Sequence, residues 1–338
     1  MSRVVLHVDL DEFVAAVEVL RHPELSGTPV VVGGRGDLTK RGVVSTANYE
    51  ARRYGIHSAM PLRIAVRKCP EAVFLPVDRE AYEAASEDVM RVLEGFTDAL
   101  EVWGWDEAFL EVRSDAEVVA RNIQSAVSTK TGLACSVGIG DNKLRAKIAS
   151  ALAKPAGVYR LGAEQWFEVM GDRRTEQLWG IGRKTARRLA DVGIETVHQL
   201  AAGDVEMLAS AFGPRTGPWL TALARGEDPS PVNSTPRRAK SRSLERTFDE
   251  DVEDLSVIAA EVQRMARELV LHVAASSRLV SGVVIKVRLA PFITRSRSMR
   301  LAQPSSAADT IVAAAAAALA RFELDRPVRL VGVKVDLL

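Results

Sequence analysis

Only two cysteines, Cys69 and Cys135, occur in 338 residues, and they form no CxxC pair. Neither a disulfide framework nor a zinc ribbon is therefore indicated. The five histidines show neither HxxxH nor HExxH spacing, which removes the usual zinc hydrolases. Long apolar runs are missing too. The most apolar helical stretch, "DTIVAAAAAALARF", is short and Ala-rich, and "MSRVVLHVDLDEF" lacks the extended apolar segment of a secretory leader. A soluble, cytoplasmic protein with no membrane partner is the expectation. Charge of one sign is absent as well: the net charge is +1, and 47% hydrophobic with 26% charged residues is ordinary globular composition.

The sum hides an uneven distribution. From Pro231 onward, 17 Lys and Arg stand against 12 Asp and Glu, concentrated in "TPRRAKSRSLER" and "TRSRSMR". A solvated charge run is the plain reading; a polyanion partner is the sharper one. The chain is long enough for two to four domains. Residues 1–162 alternate strand-like and helix-like patterns, which indicates an α+β domain with antiparallel pairing. Residues 163–230 keep only short helices broken by glycine. Residues 231–240 read as a Pro-rich linker, and residues 241–338 follow a βαββαβ order that closes a small sheet with two helices on one face.

In "VVLHVDLDEFVAAVEVLR", Asp9 and Asp11 stand where an apolar strand meets an amphipathic helix. Carboxylates there are costly unless hydrated, paired or bound to a cation. Asp106 and Glu107 fall at the tip of a hairpin formed by "ALEVWGW" and "AFLEV". Pairing with nearby Lys and Arg is one reading of these acids. The other is Mg²⁺, which takes carboxylate and phosphate oxygens. Two such ions about 3.5–4 Å apart can activate a 3′-hydroxyl and stabilise a pyrophosphate leaving group. In "STANYEARRYG", Tyr49 and Arg52 share a helical face with Thr46 in its approach, a suitable cradle for a triphosphate. Lys154 follows a helix pattern and precedes Pro155, where its ammonium can reach outward.

Taken in order, "VDLDEF", "STANYEAR", "WDEAFLEV", "SVGIGDNKLRAKIASALAKPAG", "LWGIGRKTARRL" and "KSRSLERTF" closely resemble the Y-family, DinB-like DNA polymerases (the DNA polymerase IV type). The resemblance runs from about Val4 to Val335. It implies a right hand: palm and fingers over 1–162, a helical thumb with a helix–hairpin–helix over 163–230, and a βαββαβ little finger. It also implies translesion synthesis on primer-template DNA from deoxynucleotides, by a monomer. Carried over by position, Asp9, Asp106 and Glu107, with the backbone carbonyl of Leu10, hold two Mg²⁺ ions, for which Mn²⁺ can substitute. Thr46, Tyr49, Arg52 and Lys154 contact the triphosphate, and Phe13 and Val14 lie beside the sugar. Asp11 is read as a helix N-cap. Gly180 and Gly182, with Arg183 and Lys184 following, form a turn whose backbone meets a DNA phosphate. Lys240, Arg242, Arg295, Arg297 and Arg300 supply charge on little-finger strands, with Arg295 and Arg297 alternating onto one face for the DNA backbone.

Three departures matter. At Val14 the family usually has Phe or Tyr, whose ring stands against a ribose 2′-hydroxyl; Val14 implies that ribonucleotides are accepted too. Gly104–Trp105 replaces a Ser and a small aliphatic residue, and strand alternation points Trp105 away from the acids. The sequence ends at "VKVDLL" without the apolar–aromatic peptide that many relatives dock on a sliding clamp, which leaves clamp recruitment open. Three rivals are weaker. "VDLDEF" brushes a phosphatase pattern, a nucleotide cyclase shares the two-metal logic, and a DNA-binding adaptor shares the family. The first two leave the DNA-binding features unexplained, and adaptors lose acids that are all present here.

Overall fold

The computed structural model describes residues 4–235, 238–274 and 277–338. Pro236 and Arg237 of the expected linker, Arg3 at the expected start of the first strand and Ser276 at the expected end of the long C-terminal helix lie outside the described residues. The chain divides into two compact units, Met1–Asp37 with Gly42–Pro236 and Leu38–Arg41 with Arg237–Leu338.

Among the described residues, eight strands build the first unit: β1 (Val4–Leu10), β2 (Val30–Gly33), β3 (Val44–Ala47), β4 (Val73–Leu75), β5 (Leu100–Val102), β6 (Glu107–Val112), β7 (Cys135–Gly140) and β8 (Val158–Leu161). Five of them form a sheet in the order β5-β6-β1-β7-β8, and the other three form a small sheet, β3-β2-β4. The helices among them are α1 (Phe13–Arg21), α2 (Tyr49–Arg52), α3 (Leu62–Lys68), α4 (Arg79–Glu94), α5 (Ala116–Thr131) and α6 (Lys143–Ala153).

The period of two along β1 sorts its residues between two faces. Leu6, Val8 and Leu10 enter the main core with Phe13, Tyr82, Val89, Ile123 and Val127 from α1, α4 and α5. His7 and Asp9 turn to the opposite face, over which α6 lies. Strand β7 is buried along its whole length because it is covered on both sides. Its glycines let α6 lie flush. A Cβ on Gly138 would stand 2.0 Å from the Ala146 carbonyl and 2.2 Å from the Ser150 amide.

Propensity and pattern misjudged several helices. The expected helix at "NYEARRYG" is a single turn, and α3, seven residues behind Pro61, gave too short a pattern to be noticed. The helical segment carries α7 (Trp166–Met170), α8 (Arg183–Ala190), α9 (Val197–Ala202), α10 (Val205–Phe212) and α11 (Thr216–Ala224). Its core, including Trp166, Leu189, Leu200 and Leu220, is continuous with Leu144 and Ile148 of α6. The expected boundary at residue 162 is therefore not a break in packing. Nor is the start of the expected linker free: Val232 is buried beside Val5 and Phe109, and the Asn233 amide donates to Glu101 at 2.9 Å.

The second unit consists of β9 (Ser241–Val252), α12 (Leu255–Ala274), β10 (Val280–Leu289), β11 (Ile293–Ser305), α13 (Ala308–Leu319) and β12 (Val328–Leu337). This is the expected βαββαβ order. The sheet runs β11-β10-β12-β9, every pair antiparallel. Val283, Ile285 and Val287 join Ile258, Val262, Leu269, Ile311 and Ala315 in one core, so both helices cover the same face.

Candidate active site

Register brings the acids together. Asp9, at the end of the central strand β1, pairs directly with Glu107, the first residue of β6. The Leu10 amide donates to the Asp106 carbonyl at 2.8 Å, which ties the hairpin tip to the same point. Asp106 is exposed, yet its carboxyl is raised above the usual range. Loss of water to the surrounding protein is the first cause, and like charge on Asp9 and Glu107 adds to it.

The other side of this site is α6. Lys143, Lys147, Ser150 and Lys154 fall four, three and four residues apart, the spacing of one helical face. Each meets a group on the sheet. Lys143 pairs with Glu101 of β5 at 3.0 Å, and Lys147 pairs with Glu107 of β6. The Ser150 hydroxyl lies 2.7 Å from Nδ1 of His7, and Lys154 pairs with Asp9 of β1 at 2.5 Å. The ammonium of Lys147 holds the Glu107 carboxyl below its usual range, against the cost of its burial. Burial keeps His7 neutral by lowering its pKa. The Ser150 hydroxyl donates to the Lys147 carbonyl at 2.8 Å, so His7 donates from Nδ1 and presents a bare Nε2. Lys147 is then the cation that carries the interaction with Glu107.

Asp11 is not the cap of α1. That position belongs to Glu12, which caps with no side-chain hydrogen bond. The buried Asp11 carboxylate instead accepts from Tyr49 Oη at 3.1 Å, Ser136 Oγ at 3.0 Å and the Ala156 amide at 2.7 Å. It fastens α2 and the segment after α6 to the strand end. Lys154 likewise turns inward to Asp9 and stands 3.9 Å from Asp11, where an outward reach was expected.

Tyr49 and Arg52 lie side by side, the guanidinium 5.2 Å above the ring. Arg52 Nε donates to the Ala47 carbonyl at 2.8 Å. Burial and then the Asp11 carboxylate push the Tyr49 phenol well above its usual range. Thr46 is half-buried on β3 opposite Val32, on the strand that leads into α2. Phe13, expected beside the sugar, is in the main core at 3% exposure. Packing of the apolar face of α1 turned it inward. Val14 packs only at the edge of that core. Trp105, in the bend between β5 and β6, rests against the same core, under the Arg79 guanidinium at 5.3 Å.

Sequence reasoning passed over Lys147, His7 and Glu12. A signal existed for the first two: Lys143, Lys147 and Lys154 share a helical face, and His7 shares a strand face with Asp9. Glu12 gave none. It has left-handed backbone, φ 52, a conformation rare outside glycine. Its half-buried carboxyl has one oxygen without a partner among the described residues, and burial pushes it up to about 7.

The donor set suits a hard divalent cation: several carboxylates and a backbone carbonyl, close enough for Asp106 to register the charge of its neighbours. No three such side chains form a ready cage among the described residues, and Lys154 and Lys147 hold two of the carboxylates.

The expected DNA contacts divide. Gly180 needs its glycine, with φ +99 and the Trp219 ring 3.1 Å from any Cβ. Gly182 does not: its backbone is extended and nothing lies within 4 Å. It leads into α8 beside the exposed Arg183 and Lys184. In the second unit, Arg295 and Arg297 do share a face, but it is the helix side. They pair with Val287 and Ile285, and bind the Glu323 and Arg321 carbonyls. Arg242, opposite Val335, shares that side. The helix-free face carries Arg300, Lys286, Arg288 and Lys334, with Glu245 and Asp336 among them. Lys240 is exposed just before β9.

The impB/mucB/samB family matches residues 8–151, its C-terminal domain matches 239–338, and the DNA polymerase-iota thumb domain matches 176–228. The chain is 51% identical to DNA polymerase IV 2 of Mycobacterium tuberculosis (strain ATCC 25618 / H37Rv), over 99% of this chain and 98% of that one. It is 40% identical to DNA polymerase IV of Methanoculleus marisnigri, over 100% and 95%. Among solved structures, a chimera of the Y-family DNA polymerases Dbh and Dpo4 superposes with a TM-score of 0.88 at 27% identity, covering 98% of both chains. An insertion ternary complex of Dbh superposes at 0.67, also at 27% identity and 98% of both.

Proposed function

This chain belongs to the Y-family, DinB-like DNA polymerases and is a DNA-directed DNA polymerase of the translesion type, and on that premise we propose that it joins nucleotides to a primer 3′-hydroxyl at Asp9, Asp106 and Glu107. In this reading the five-stranded sheet is the palm, β2–β4 the fingers, α7–α11 the thumb and β9–β12 the little finger, and the thumb-domain match over residues 176–228 supports it. The observation that carries the reading is the register that pairs Asp9 with Glu107 and joins the Leu10 amide to the Asp106 carbonyl at the ends of β1 and β6. When bound, two Mg²⁺ ions supply activation of the 3′-hydroxyl and neutralisation of the pyrophosphate leaving group. Asp9, Asp106, Glu107 and the Leu10 carbonyl hold them; Mn²⁺ fits the same oxygens.

The remaining residues bind and orient. Tyr49, fixed through its hydroxyl by Asp11, and Arg52, stacked on its ring, would contact the triphosphate with Thr46 and Lys154. Gly182 and Lys184 at the start of α8 take a template or primer phosphate, and the helix-free face of the little-finger sheet follows the DNA backbone. Primer extension with Mg²⁺ tests the reading: Asp106→Ala should abolish extension while DNA binding persists. Near-normal extension by that variant would overturn the assignment.

Val14 gives the reading its particular substrate range. Phe13 is the only aromatic residue of α1, and it lies in the core. No ring on that helix therefore stands against C2′. A ring there excludes a 2′-hydroxyl by overpacking, about 1–3 kcal/mol or more, or roughly tenfold to a few hundredfold in rate. Valine leaves that space open, so ribonucleoside triphosphates are substrates beside deoxynucleotides. Val14→Phe should raise the ratio of kcat/KM for a matched dNTP over its rNTP, chiefly by lowering the rNTP value. A ratio unchanged by Val14→Phe would place discrimination elsewhere.

A further inference from the structure

The ladder of lysines on α6 is graded in burial. Lys143 and Glu101 are sealed, with side chains 5% and 6% exposed, and Glu101 also accepts from Trp103 Nε1 and the Asn233 amide. Lys147 with Glu107 and Lys154 with Asp9 are looser, at 18% and 22%, and 26% and 18%. The inner pair is a permanent fastening of α6 to the sheet, since a pair sealed from water cannot exchange partners without a large cost. The outer two occupy the carboxylates that the metal-site reading requires.

A divalent cation on Asp9 would stand beside the Lys154 ammonium that the same carboxylate now holds, two positive charges at close range. We propose that Lys154 and Lys147 are exchangeable counter-ions of the metal-binding carboxylates, and that Lys154 leaves Asp9 for the triphosphate. Metal and nucleotide then bind with positive coupling. This rests on the metal-site reading above and adds an order of events to it. Lys154 is built for the exchange. It lies just beyond the last turn of α6 in extended backbone, on a flexible four-carbon stem, and a triphosphate gives it a second anion within the same site. Lys147 has a different retreat, because its ammonium already lies 3.4 Å from the bare Nε2 of His7 and 5.6 Å from the Trp179 ring centroid. It yields Glu107 without needing the nucleotide. In the free protein the two ammoniums keep the carboxylates from repelling one another, at the expense of metal affinity.

The test measures Mn²⁺ alone, by the electron paramagnetic resonance signal of the unbound ion, on the full chain without nucleotide. Lys154→Met should tighten Mn²⁺ binding about fivefold or more, the effect of one unit charge at ~4 Å in water-like surroundings. Lys147→Met should tighten it in the same direction. Affinity for dATP in EDTA separates the two: it should fall for Lys154→Met and stay unchanged for Lys147→Met. Lys154→Gln, which keeps the stem and a polar end, should reproduce the Mn²⁺ result if packing is disturbed in the methionine variant. Unchanged or weaker Mn²⁺ binding in both Lys154 variants, while Asp106→Asn abolishes it in otherwise native protein, would overturn the exchange and leave the metal site standing. Mn²⁺ binding indifferent to Asp106→Asn would instead remove the metal site itself, and the exchange with it.

Discussion

Replacing Gly138 by alanine puts a methyl group where α6 already lies. The added Cβ would stand 2.0 Å from the Ala146 carbonyl oxygen and 2.2 Å from the Ser150 amide, whereas ordinary contact begins near 3.4 Å. Both opposing atoms are backbone, so no rotamer relieves the clash. The helix must withdraw from β7 by about 1 Å or more, and overpacking of that kind costs on the order of 3 kcal/mol. At about 2–4 °C per kcal/mol for domains of 150–250 residues, melting should fall by roughly 6–12 °C. The functional effect is separable from this. Ser150, Lys147 and Lys154 ride on or just after α6, and their partners His7, Glu107 and Asp9 do not move with it. A misplacement of ~1 Å near the reacting groups lowers turnover by about a hundredfold. Primer extension per folded molecule, measured well below the melting transition, reads the second effect apart from the first. A variant whose stability stays within the ±0.5 kcal/mol or so of a surface substitution, and whose turnover matches the native enzyme, would refute the reasoning.

Asp106 and Glu107 should shift stability with pH in opposite senses. The raised Asp106 carboxyl destabilises the fold once pH exceeds its unfolded pKa, so Asp106→Asn should raise the melting temperature at pH 7 and lose that gain toward pH 3. The Glu107 carboxyl, held below its usual range, contributes stability that is present above pH ~5 and lost as pH falls through its folded value; Glu107→Gln should accordingly differ from the native protein most at neutral pH, by thermal melting. In the little finger, Arg295→Ala should lower stability and leave DNA affinity nearly intact, since Arg295 is tied to Glu323 and Asp325. Arg300→Ala, on the helix-free face, should weaken DNA binding and reduce the slope of log affinity against log salt by about 0.9, as titrations at several salt concentrations would show. Lys143→Met should cost about 3–5 kcal/mol by leaving Glu101 buried without its cation, and Lys143→Met with Glu101→Gln should recover much of that in denaturant unfolding.

Much of this protein was legible in its sequence because the relevant signals are local. The strand–acid–helix junction at Asp9, the hairpin tip at Asp106 and Glu107, the glycine-broken helices and the βαββαβ order all follow from periodicity, turn residues and spacing over a few positions. The six segments that resemble one polymerase family are local too, each a short run with its chemistry inside it. Errors arose where a residue has two local readings. Asp11 satisfies every sequence rule for a helix cap, and Lys154 every rule for a side chain that reaches away from a helix end.

Tertiary structure decided which reading holds, because each depends on partners far along the chain. Asp11 meets Tyr49, Ser136 and Ala156, and the burial of its carboxylate makes those donors worth more than a cap on α1. Arg295 and Arg297 alternate as a strand should, but only the register of β11 against β10 fixes the helix side as the one they occupy. The lysine ladder is the clearest case. Its spacing is visible in "NKLRAKIASALAK", yet nothing local shows that β5, β6 and β1 lie side by side beneath it with Glu101, Glu107 and Asp9 in matching order. Strand order is set by long-range pairing, and Gly138 lets the helix lie close enough for three ammoniums to reach three carboxylates.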